Sequence, residues 1–167
     1  MSDDPPRVAV ERDGDVAAVV FDGPGEVPVI DERTAAEFTA AIETIENSDA
    51  RVAVVRGAAG TFCAGGDLAQ SPEAFVRTVE KSIDGILDIF TSDIPYVAAI
   101  RGAAIGGGLE IAMACDFRIT GEDATLALSR GEFRNHPAGR GDPISHAHGR
   151  AGERPRTRVD RPPTRWH

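Results

Sequence analysis

Two glycine-rich segments carry the residues whose types and spacing could do chemistry. The first is Gly60-Thr61-Phe62-Cys63-Ala64-Gly65-Gly66-Asp67-Leu68, and the second is Gly102-Ala103-Ala104-Ile105-Gly106-Gly107-Gly108-Leu109-Glu110. Glycines let a backbone approach a ligand closely and present bare N–H groups. Each segment follows a predicted strand. In the second, the N–H groups stand at the start of a predicted helix, where the dipole favours negative charge. Two such loops, if they converge, form an oxyanion hole for a thioester or ester oxygen as it becomes an enolate. Glu110 falls in the first turn of that helix, within reach of the same substrate. The spacing is equally compatible with two tight turns and a solvated glutamate.

Other chemistries find less support. Neither loop reads GxGxxG or GxxxxGK[ST], which argues against a nucleotide site. All four histidines (His136, His146, His148 and His167) lie beyond residue 128, so residues 1–128 hold no Ser-His-Asp or Cys-His triad. Cys63 and Cys115 with those histidines show no metal-ligand spacing, and no metal is expected. Cys63 reads as a small packing residue beside its loop rather than a nucleophile.

The elements that must position these loops alternate between strand and helix. Val8–Val10 and Val16–Phe21 predict a hairpin turning at Asp13-Gly14-Asp15. Asp31 can cap a helix over about 32–47, with Ala35, Phe38, Ile42 and Ile45 on one face. Val52–Val55 is a short buried strand. Ser71-Pro72-Glu73 is a helix start, with serine as cap and proline in the first turn. Phe75, Val79, Ile83, Ile86, Leu87 and Phe90 then continue one apolar stripe to about residue 91. Pro95–Ile100 is another buried strand, Leu109–Cys115 a helix and Phe117–Ile119 a last short strand. This alternation predicts an α/β fold with helices packed on sheet.

Composition bounds the partners. The chain has 167 residues and a net charge of −9, which hides a split. Residues 1–128 hold 9 Lys+Arg against 23 Asp+Glu, whereas residues 129–167 hold 9 Arg against 4 acids. So acidic a body argues against nucleic acid as its main partner. Residues 129–167 also hold 5 Pro, 5 Gly and 4 His, show no period and read as a disordered, solvated basic tail. No apolar run reaches the roughly 18 residues of a membrane helix. Two cysteines make no disulfide framework, and the N-terminus lacks the pattern of a signal peptide, so a reducing cytoplasm is expected.

At the two loops the sequence resembles the crotonase family, the enoyl-CoA hydratase/isomerase superfamily. The resemblance rests on Phe62-Cys63-Ala64-Gly65-Gly66-Asp67-Leu68, on Pro95-Tyr96-Val97-Ala98-Ala99-Ile100-Arg101-Gly102, and on Gly106-Gly107-Gly108-Leu109-Glu110-Ile111-Ala112-Met113-Ala114-Cys115-Asp116. It covers about residues 7 to 128. It implies a crotonase-like spiral of ββα turns, here incomplete at the C-terminus. It also implies acyl-CoA substrates, no cofactor beyond the coenzyme A of the substrate, and homo-oligomers, usually trimers or paired trimers. The family's two oxyanion donors are backbone N–H groups whose positions match Gly66 and Gly107. The stretch Ala64, Gly65, Gly66, Asp67, Leu68 and Ala69 would lie along the CoA thioester arm. Glu110 matches the first catalytic glutamate of family hydratases, which helps activate the water that adds to the enoyl β-carbon.

Two departures qualify that reading. Family hydratases carry a second glutamate, in a Pro-Glu pair, where Ser129-Arg130 stands here; Glu132 follows two residues later. Family members then continue through a glycine-rich Gly-Gly-Thr-Gln-like loop, whereas this chain runs Pro137-Ala138-Gly139-Arg140-Gly141-Asp142-Pro143. Reading the codons one nucleotide later from Ser129 permits Pro-Glu-Val-Asn-Phe-Gly-Ile-Thr-Pro, one loosely constrained residue, and Gly-Gly-Gly-Thr-Gln-Tyr-Leu. A change of frame immediately after Leu128 is therefore expected, with 1–128 a partial crotonase-like core and 129–167 a non-native tail. The expected function is an acyl-CoA enzyme of the hydratase/isomerase type. The alternatives are an inactive fragment, a non-catalytic CoA-thioester binder or a protein that interacts through its basic tail.

Overall fold

The computed structural model describes residues 4–23 and 27–128. The expectations for 129–167, including the basic tail, Ser129-Arg130 and Glu132, lie outside the described residues.

The expected hairpin is present. β1 (Val8–Asp13) pairs antiparallel with β2 (Val16–Phe21), and Gly14 takes the positive φ of 56° that its two-residue turn needs. α1 (Glu32–Glu46) starts at Asp31, whose carboxylate accepts from the Thr34 amide at 2.8 Å and the Thr34 hydroxyl at 2.9 Å. Its buried face contains all four expected residues, Ala35, Phe38, Ile42 and Ile45. β3 (Val52–Gly57) then lies parallel to β2.

α2 (Pro72–Thr91) begins at Ser71 as the sequence predicts, with the Ser71 hydroxyl accepting from the Ala74 amide at 3.2 Å. Its packing is less obvious from the sequence. The buried residues are Thr78, Ser82, Gly85 and Ile89, while Phe75, Val79, Ile83, Leu87 and Phe90 are exposed and Ile86 is half-buried. The cause is close approach to α1. A Cβ built on Gly85 would lie 2.9 Å from both Phe38 Cε1 and Thr39 Oγ1, so only a face of small side chains fits there.

β4 (Tyr96–Ile100), β5 (Ala103–Ile105), α3 (Gly107–Ala114), β6 (Phe117–Thr120) and β7 (Thr125–Ala127) follow. The larger sheet has the order β1-β2-β3-β4-β6 and is parallel from β2 onward. A smaller sheet pairs β5 with β7 in parallel, and a single bridge joins Cys63 to Ala104 beside it. Successive passes of the chain place one segment in the larger sheet and the next in the smaller one: β4 then β5, β6 then β7. This is the ββα spiral that the resemblance implies. Neither β5 nor β7 is among the strands expected from the sequence, because three residues are too few to show a strand period.

The core lies between the larger sheet and α1. Phe21 stacks on Phe38 with ring centroids 5.7 Å apart, and Phe62 meets Phe21 edge-on at 6.3 Å. Tyr96 is fully buried; its hydroxyl donates to Glu46 Oε1 at 2.7 Å and so ties β4 to the end of α1. Among the described residues, no helix is long and apolar enough to cross a membrane.

Candidate active site

The first glycine loop is held from two sides. Its early part joins the second loop: the Phe62 amide donates to Arg101 O at 2.9 Å, the Cys63 amide to Ala103 O at 2.9 Å, and the Ile105 amide to Cys63 O at 3.0 Å. It then changes partner. The Ala64 amide donates to Pro28 O at 2.9 Å, the Ile30 amide to Gly65 O at 2.8 Å, and the Asp67 amide to Ile30 O at 2.9 Å. The change of partner falls between Cys63 and Ala64, and the next residue, Gly65, has a φ of 87° that suits glycine.

That conformation presses the loops together. A Cβ on Gly65 would lie 2.4 Å from Ile105 O and 3.2 Å from the Gly107 nitrogen, and one on Gly108 would lie 2.3 Å from Cys63 O. The two segments therefore meet backbone to backbone, which the sequence reading required of an oxyanion hole. Gly106 caps α3 without a side chain, at φ 52°, and its amide donates to Ala127 O at 2.8 Å, which anchors the helix start to β7.

The donor inventory follows from this pairing. The bonds that join Ile30 to the first loop use Gly65 O and the Asp67 amide, so the Gly66 N–H faces away from Ile30. Gly107 is the first residue of α3, where an amide has no partner within the helix. Among the described residues, neither amide donates a hydrogen bond to the protein. Glu110 is half-buried one turn further along α3, and its own amide donates to Gly106 O at 2.9 Å. Three residues on from Gly107, it shares that residue's face of the helix.

The remaining residues of the expected CoA stretch run outward. Gly65 is buried, Ala64, Gly66 and Asp67 are half-buried, and Leu68 and Ala69 are exposed. Asp67 Oδ1 accepts from the Ala69 amide at 2.9 Å and closes a turn. Gln70 fastens that turn: its Nε2 donates to Asp67 O at 3.1 Å and to Ile30 O at 3.3 Å, and its Oε1 accepts from the Thr78 hydroxyl at 2.7 Å. Sequence reasoning missed both Gln70 and the 28–30 strut, because nothing in their spacing marks a partner some forty residues away.

Cys63 is fully buried, and burial pushes its thiol up to about 12. Its Sγ accepts the Gly65 N–H at 3.4 Å. It packs between the loops, as expected of a structural cysteine. Among the described residues, no group of three or more His, Cys, Asp and Glu side chains is placed to hold a metal ion.

Comparison with known proteins bears on this geometry. The family model of enoyl-CoA hydratase/isomerase matches residues 11–144, running past Leu128. A probable enoyl-CoA hydratase of Mycobacterium tuberculosis is 31% identical over an alignment of 141 residues that covers 81% of this chain and 54% of that protein. A short-chain-enoyl-CoA hydratase of Clostridium acetobutylicum is 36% identical over 126 residues, covering 71% of this chain and 48% of its own. The solved structure of an enoyl-CoA hydratase from Thermoplasma volcanium superposes with a TM-score of 0.66 at 32% identity, covering 73% of this chain and 51% of that one. The chain thus spans about half the length of the curated relatives it matches. With the family model covering most of its length and the spiral in place, the chain belongs to the enoyl-CoA hydratase/isomerase family, the crotonase family.

Proposed function

We propose that this chain carries the oxyanion half of an acyl-CoA enzyme of the hydratase/isomerase type. The Gly66 and Gly107 N–H groups receive the thioester oxygen, and the stretch Ala64–Ala69 lies along the CoA arm. The observation that supports this reading most directly is the close approach of Gly65 to Gly107, beside which neither the Gly66 nor the Gly107 amide donates a hydrogen bond among the described residues.

The chemistry follows from that placement. Glu110 removes a proton next to the thioester carbonyl. The electron pair moves onto the carbonyl oxygen, where two N–H dipoles and the N-terminus of α3 hold the negative charge. The same carboxylic acid returns the proton, either to its original carbon or along the conjugated chain, which is an isomerisation. Addition of water to the β-carbon calls for a second carboxylate in our reading, and Ser129-Arg130 stand where the family has it. That observation also favours a second reading, a CoA-thioester binder without turnover. The enolate chemistry itself needs no cofactor besides the CoA of the substrate. Free, buried Cys63 and Cys115 support a reducing compartment, the cytoplasm in our reading.

The test is exchange of the α-protons of butyryl-CoA for solvent deuterium, followed by NMR alongside binding by calorimetry. The proposal expects binding and exchange by the 167-residue chain, with exchange lost and binding kept in Glu110→Gln. Binding without exchange in the unsubstituted chain establishes the binder reading. Absence of binding, or exchange unaffected by Glu110→Gln, overturns the enzyme reading.

A further inference from the structure

Resting on that reading of the site, we propose that Ile30 is a positioning residue that sets the spacing between the two oxyanion donors. Ile30 touches both donor segments, and it does so through different parts of itself. Its backbone holds the first: the Ile30 N–H donates to Gly65 O at 2.8 Å, and Ile30 O accepts from the Asp67 amide at 2.9 Å, so the residues on both sides of Gly66 are pinned. Its side chain reaches the second: a Cβ built on Gly107 would lie 3.3 Å from Ile30 Cδ1. The Cδ1 methyl therefore fills the space that a side chain at Gly107 would need, beside the start of α3, while the backbone grips the facing loop.

The residue stands on a firm base. Ile30 is 4% exposed and immediately precedes Asp31, the α1 cap. Asp31 is held by Thr34 and by an ion pair with Arg7. Burial works against the Asp31 charge, but Thr34 and Arg7 outweigh it and keep the carboxyl below its ordinary range. The Ile30 backbone is thereby tied to α1 and the core on one side and, through Asp67 and Gln70, to the base of the 67–69 turn on the other. Oxyanion donors act by being fixed in advance at the distance the developing charge requires, and small displacements weaken both together.

Ile30→Val is the discriminating variant, because it deletes Cδ1 alone and leaves every backbone bond in place. Ile30→Ala is the harsher form. Ile42→Val serves as the control, removing the same methyl from a fully buried α1 position of the same core. The readouts are the carbonyl stretch of bound carbonyl-labelled butyryl-CoA, by infrared difference spectroscopy, and the deuterium-exchange rate. Ile30→Val is expected to reduce the downward shift of the bound carbonyl and to slow exchange about tenfold. Its binding should stay within about threefold, since the loop bonds that accompany the CoA arm are unchanged. Ile42→Val should lower the melting temperature without altering the bound carbonyl. A carbonyl frequency and exchange rate in Ile30→Val equal to those of the unsubstituted chain overturn the inference while leaving the site reading intact. If the unsubstituted chain itself shows no carbonyl shift, the site reading falls and this inference with it.

Discussion

Gly65→Ala puts the loop-to-loop contact to its most direct test, with Gly60→Ala as its partner. The two glycines share nearly the same φ, 87° at Gly65 and 83° at Gly60. Each alanine therefore meets the same left-handed penalty of about 1–2 kcal/mol. They differ in what the new methyl meets. At Gly60 nothing lies within 4 Å, whereas at Gly65 the methyl would sit 2.4 Å from Ile105 O, against an ordinary contact of 3.4 Å or more. One loop must retreat by about 1 Å, and overpacking of that kind costs about 1–3 kcal/mol. The retreat also strains the Cys63–Ile105 and Ile30–Gly65 hydrogen bonds, each contributing about 1 kcal/mol. Gly65→Ala should therefore destabilise by about 3–5 kcal/mol and Gly60→Ala by about 1–2 kcal/mol. Urea denaturation followed by circular dichroism measures both, and the bound carbonyl stretch should be lost only in Gly65→Ala. Equal destabilisation of the two variants refutes the backbone contact on which the oxyanion reading stands.

The other predictions concern the thiols, α2 and the coding frame. Burial pushes the Cys63 and Cys115 thiols from 9.0 up to about 12, so both should resist alkylation at pH 8 until the chain is unfolded. Because the folded state disfavours the thiolate, this contribution to stability is intact below pH 9 and is lost as pH rises from 9 to 12. The slope approaches about 1.4 kcal/mol per pH unit for each thiol and should be shallower in Cys63→Ala; an unchanged alkaline melting profile in that variant contradicts the assignment. In α2, Ile89 is 2% exposed and Phe90 is 74% exposed. Ile89→Ala should cost about 2–5 kcal/mol and Phe90→Ala less than about 0.5 kcal/mol, and the reverse order in denaturation would show that the helix presents its other face. Sequencing the coding DNA across codons 120–150 should show bases that permit the shifted reading from Ser129 onward; codons incompatible with Pro-Glu at that place exclude the change of frame.

The helix caps, the inner face of α1 and the hairpin turn were legible in the sequence. Asp31 and Ser71 cap through bonds to amides three residues on, Ala35, Phe38, Ile42 and Ile45 recur at the helical period, and Gly14 supplies the positive φ of a short turn. Each of these signals lives within a few residues of the chain. The two glycine loops and Glu110 were legible for the same reason, because glycine content and a helix start are local properties. Their contact was not. It depends on Cys63 pairing with Ala104, on Gly65 meeting Gly107, and on Ile30 bridging to both. β5 and β7 are likewise made by partners rather than by propensity, three residues each.

α2 marks the boundary between the two kinds of information. The apolar stripe at Phe75, Val79, Ile83, Leu87 and Phe90 follows from periodicity, but that stripe is exposed, and Thr78, Ser82, Gly85 and Ile89 face α1. Hydrophobicity alone ranks the faces the other way. What decides is the distance at which α1 passes, since the Phe38 ring leaves room at Gly85 for a hydrogen and not for a methyl. Local sequence thus determined the helices, the longer strands and the candidate residues for chemistry, with β5 and β7 left to their partners. Tertiary structure decided which faces pack and which loops meet backbone to backbone, because those depend on close contacts between segments far apart in the chain, which no local period encodes.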